Sequence, residues 1–115
     1  MKHLILLLSV ILMTQANAAD GLIQDDEGML KAKAMELTKK YGAELGLDAT
    51  ITAQFEEIVL GYLTRKAKAG QLNVSEDDKK VMLKQLSMQE NEDMAALLSK
   101  GQYKKYLKAK LKLQP

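Results

Sequence analysis

The chain has 115 residues and a formal charge of +2, from 17 Lys and Arg against 15 Asp and Glu, with no Cys, no Trp, one Pro and one His. That is room for one small domain. A hydrophobic share of 47% with only 4% aromatic residues suits an aliphatic helical core better than a β-sandwich, and the absence of Cys excludes a disulfide framework.

The first element read along the chain is a secretory signal peptide, residues 1–18. Lys2 and His3 supply the positive start, Leu4 to Met13 an apolar run broken by Ser9, and Ala16-Asn17-Ala18 the small residues of a cleavage site. The run is about half of the roughly 20 apolar residues a membrane span needs, so the exported chain is expected to be soluble and periplasmic, with secretion as the alternative. Cleavage after Ala18 leaves 97 residues that contain neither His nor Cys. A Cys or His zinc site and a Ser-His or Cys-His nucleophilic pair are then ruled out. Neither an enzyme nor a cofactor is expected. A domain of this size without disulfides is held by packing alone and is often marginal unless it associates, which makes a homodimer the expected state.

An acidic leader, residues 19–28, precedes a single helical domain, residues 29–115. Leu30, Ala34, Leu37, Tyr41 and Leu45 recur at the helical period and define a first helix that stops at Gly46. Asp48 restarts the chain as an N-cap, and Ile51, Phe55, Ile58, Val59, Tyr62 and Ala69 form the stripe of a second amphipathic helix. Leu60 falls on its far side and Leu63 at the edge of the stripe. After the connector Gly70 to Val74, Ser75-Glu76-Asp77-Asp78 is a strong helix start. The third helix carries Met82, Leu83, Leu86, Met94, Leu97 and Leu98, interrupted by Glu90 and edged by Asp93. Burying a carboxylate without a partner is costly, and local spacing offers no cation, so a bend or a solvent-facing stretch near Gln89 to Asp93 is expected.

Ser99-Lys100-Gly101-Gln102 reads as a capping box opening a fourth helix. Tyr103, Tyr106, Leu107, Leu111 and Leu113 share one side of it. Lys104, Lys105, Lys108 and Lys112 share the other, and Lys110 intrudes on the apolar arc. From Ser99 to Pro115 there are six lysines and no acid. The expected class is all-α, with about four helices in the mature chain.

Leu98-Ser99-Lys100-Gly101-Gln102-Tyr103, following a long helix and leading into Tyr106-Leu107, resembles the LTxxQ element of the Spy/CpxP family of periplasmic helical proteins, with Ser in place of Thr. The upstream counterpart is Leu47-Asp48-Ala49-Thr50-Ile51, in which Asp48 keeps the cap and Ile51 stands where Gln is expected. The resemblance spans roughly Met35 to Leu107 by order and spacing and rests on this short motif. It implies a long helical hairpin with shorter flanking helices, paired into a thin, curved dimer, and ATP-independent chaperoning or stress buffering, with unfolded clients held on a basic, partly apolar surface. Residues in this chain compatible with such a surface are Leu60, Leu63, Met88, Met94, Lys104, Lys105, Lys108 and Lys112.

Other classes compete for the same residues. Two-carboxylate hydrolysis with Glu90 and Asp93, or Glu56 and Glu57, is disfavoured because neighbours on a helix do not face each other across a cleft. Neither Asp25-Asp26-Glu27-Gly28 nor Glu76-Asp77-Asp78 has the alternating oxygen ligands of a calcium loop. Nucleic acid is not expected as a partner, since Tyr103 and Tyr106 lie away from most of the lysines. Peripheral contact with anionic lipid fits the basic amphipathic helix but is not favoured over a docked helix with a solvated Lys face. The runner-up is an inhibitor or immunity-type protein that binds one periplasmic or secreted partner.

Overall fold

The computed structural model describes residues 24–115, four α-helices with no strand among the described residues. Residues 1–18, read above as a signal peptide, and the first part of the acidic leader lie outside them. The helices are α1 (Gln24–Leu45), α2 (Ala49–Gly70), α3 (Glu76–Leu97) and α4 (Lys100–Leu113). The all-α class is as the periodicity predicts. Two details differ: α1 opens within the acidic leader, and at 22 residues it equals α2 and α3, so α4, with 14, is the one shorter helix.

Local chemistry sets each boundary. Gly46 ends α1 in the left-handed region at φ 68°, where a side chain would be strained, and the Leu47 N–H reaches back to the Gly42 carbonyl at 3.4 Å. Asp48 caps α2, its carboxylate accepting the Ile51 N–H at 2.8 Å. Ser75 caps α3 by accepting the Asp78 N–H at 3.1 Å, with three acids in the first turn against the positive end of the helix. Only Leu98 and Ser99, both extended, separate α3 from α4. The capping box is present in full: Ser99 Oγ accepts the Gln102 N–H and Gln102 Oε1 accepts the Ser99 N–H, both at 3.1 Å.

The four helices close a ring, with α1 on α2, α2 on α3, α3 on α4 and α4 back on α1. The core is concentrated where all four meet. Ala34, Leu37, Tyr41 and Leu45 of α1 pack with Phe55, Val59 and Leu63 of α2, Met94, the corner residue Leu98, and Tyr106 and Ala109 of α4. At its centre Tyr41, Phe55 and Tyr106 have ring centroids 5.2, 5.3 and 6.0 Å apart, in tilted and edge-on arrangements that favour aromatic contact. Helix α4 is about 21 Å long against about 33 Å for α3, at 1.5 Å per residue. It therefore cannot cover the whole of α3, and Met82, Leu83 and Leu86 stay only half-buried.

Candidate protein-binding surface

Glu90 is 1% exposed, in the middle of an unbroken helix, which overturns the expectation of a bend or a solvent-facing stretch. Its partners come from other helices. Lys66 of α2 places Nζ 3.0 Å from Glu90 Oε1, and Lys110 of α4 places its own at 3.5 Å from the same oxygen. Lys110 also donates to Asn91 Oδ1 at 2.7 Å and to Ser87 Oγ at 3.0 Å. Burial pushes the Lys110 ammonium below its ordinary pKa, Glu90 opposes that, and the nearby Lys66 adds to it. The lysine that intrudes on the apolar arc of α4 and the glutamate that interrupts the stripe of α3 thus explain each other.

Asp93 is engaged separately, accepting the Tyr62 hydroxyl at 2.6 Å, while the Arg65 guanidinium lies 4.7 Å from the centre of the Tyr62 ring. Glu90 and Asp93 therefore face different partners and converge on no common space. Among the described residues no three His, Cys, Asp or Glu side chains gather in a way that would hold a metal. No helix among them is long and apolar enough to cross a membrane.

The eight residues proposed from the sequence as a binding surface separate into two groups. Met94 is fully buried, Leu63 is in the core and Leu60 is half-buried against it, so these three do not form a surface. Leu60 and Leu63 instead widen the apolar face of α2, which has neighbours on both sides, α1 and α3. Met94 lies on the apolar stripe of α3 that packs into the core. Met88, Lys104, Lys105, Lys108 and Lys112 are exposed.

Helix α4 is where exposed apolar and basic groups coincide. Tyr106 and Ala109 are buried while Tyr103, Lys110 and Leu113 are half-buried, and that turns Leu107 and Leu111 outward among the lysines. Leu111 is 79% exposed. Lys112 makes a surface ion pair with Glu44 of α1 at 3.3 Å, and between the two helices a shallow hollow of 430 Å³ is lined by Glu44, Lys105, Lys108, Ala109 and Lys112. Periodicity alone places Leu107 and Leu111 with Tyr106. The packed arc is narrower because the backbone of α4 lies close only to α1 and α3.

No protein-family model, curated protein or solved structure matches the chain, and the likeness to the Spy/CpxP family rests on the Leu98 to Gln102 element and its surroundings.

Proposed function

We propose that the chain is an exported, non-enzymatic binding protein that holds apolar segments of other proteins without ATP, as a periplasmic chaperone or stress-response protein does. The observation that supports this is the outer face of α4, where Leu107 and Leu111 stand in solvent among Lys104, Lys105, Lys108 and Lys112. Clustered ammoniums attract acidic stretches of an unfolded chain over about a Debye length, 8 to 10 Å at physiological salt. The leucines then supply apolar contact worth roughly 25 cal/mol for each Å² buried. Attraction of this kind is weak and indifferent to sequence, which suits transient holding. A second copy is the expected partner in the resting state, and export follows from the reading of residues 1–18.

The test is suppression of aggregation. The mature chain at near-stoichiometric ratio should keep several unrelated unfolding proteins in solution, and no effect on any of them would remove the reading. The fixed seating of α4, through the capping box and the Lys110 contacts, favours one competing reading, an inhibitor or immunity-type protein with a preformed surface for a single folded partner. That alternative requires capture of one folded protein together with no effect on aggregation.

A further inference from the structure

The far half of the α2–α3 pair carries a second feature, away from the α4 face and independent of it. An open groove of 360 Å³ runs along the seam, floored by the buried Ala69, the half-buried Met82 and Leu86 and the exposed Leu72, with Arg65 and Lys68 on its rim. The groove exists because α4 is too short to reach this part of α3 and the backbone of α1 does not come close to α3. Its electrostatics are one-sided. No carboxylate lines it, and the other polar lining residues are the neutral amides Gln85 and Gln89. Arg65 and Lys68 make no ion pair with any described residue, and Asp93, one turn beyond Gln89, is already engaged by the Tyr62 hydroxyl.

We propose that this groove binds a free fatty carboxylate, a single-chain anionic amphiphile, with the carboxylate between Arg65 and Lys68 and the alkyl chain over Leu86, Met82 and Leu72. Charge complementarity selects the head: Arg65 and Lys68, three residues apart on one helix and in no ion pair, are neighbours in space and together fit one carboxylate. Size selects the tail. The groove's 360 Å³ lies within the range of small-ligand pockets, room for a single alkyl chain. Arg65 is held over the Tyr62 ring, so the head site is partly preorganised.

Calorimetric titration of dodecanoate into the protein, below its critical micelle concentration, tests the proposal. One-to-one saturable binding is expected, weakened by about tenfold or more in the double variant R65Q/K68Q and in L72E, both with unchanged melting curves. Dodecyltrimethylammonium, with the same chain and the opposite charge, should not compete. The variant K104Q/K108Q should bind dodecanoate as the parent does. Absence of saturation, equal binding of the cationic analogue, loss only in K104Q/K108Q, or binding to anionic vesicles but not to the free carboxylate would each overturn it. None of these results bears on aggregation suppression by the α4 face.

Discussion

Glu90 occupies a position where an apolar side chain would fill the same space, and its carboxylate is shared by two lysines from two different helices. Removing one member of a buried charge cluster leaves the others desolvated and uncompensated. Glu90→Gln should therefore lower unfolding free energy by about 3 kcal/mol, the lower end of the usual range because Lys66 retains some access to water. The triple replacement K66M/E90L/K110M should match the parent or exceed it by about 1 kcal/mol or more, since the desolvation cost disappears with the charges. Urea denaturation of both variants checks the pair of outcomes, and equal losses in the two would show that the cluster is not organised as described. The tyrosines make a second prediction. Burial, with Glu90 as the second cause, raises the pKa of Tyr41 and Tyr106 well above the ordinary 10.0, and burial with Asp93 raises that of Tyr62. Above about pH 10 the unfolded chain therefore sheds phenolic protons that the folded chain keeps, so stability falls as pH rises further. Lys110, whose folded pKa is lowered, acts in the opposite sense below 10.5, one group against three. Tyr106→Phe should blunt the alkaline loss. At neutral pH it should gain up to about 1 kcal/mol, because the buried Tyr106 hydroxyl has no hydrogen-bond partner. Denaturation midpoints followed across pH report both effects. The two anomalies at this scale, Glu90 on α3 and Lys110 on α4, are visible in the sequence. Their pairing is not, because 20 residues separate them and only the turn at Leu98-Ser99 brings the helices together.

Among the elements, the helix starts were the most legible part of the chain. A cap depends on residues three positions apart, and Asp48, Ser75 and Ser99 each accept the N–H that their spacing assigns to them. Ser99→Ala should cost about 0.5 to 2 kcal/mol, read as a lower melting midpoint, and an unchanged melting curve would show that the box adds nothing to α4. The start of α1 was less legible. Asp26 and Glu27 read as a polar leader but favour the positive end of a helix, which is where they lie. Burial at the edges of a stripe was legible only in part. Leu63 and Met94 are core, while Leu107 and Leu111 are outside it. Periodicity gives the direction of a face, whereas the neighbouring helices decide its width.

At the scale of the whole molecule, the ring of four helices puts its aromatic centre at one end and leaves basic and apolar groups together on the outside of α4. The all-α class followed from composition and period, but ring closure depends on contacts of α1 with α4 and the residue that ends it across more than 60 residues, such as the Glu44–Lys112 ion pair and the Tyr41 hydroxyl donating to Gln114 Oε1 at 2.7 Å. No local spacing encodes that. We propose this outer face of α4 as the docking surface. Lysine acetylation footprinting, with and without an unfolding client, tests it most directly. Lys104, Lys105, Lys108 and Lys112 should lose reactivity together when the client is held, while Lys31 and Lys80 on other helices keep theirs. Unchanged reactivity at the four α4 lysines, with the client demonstrably held, would contradict the account.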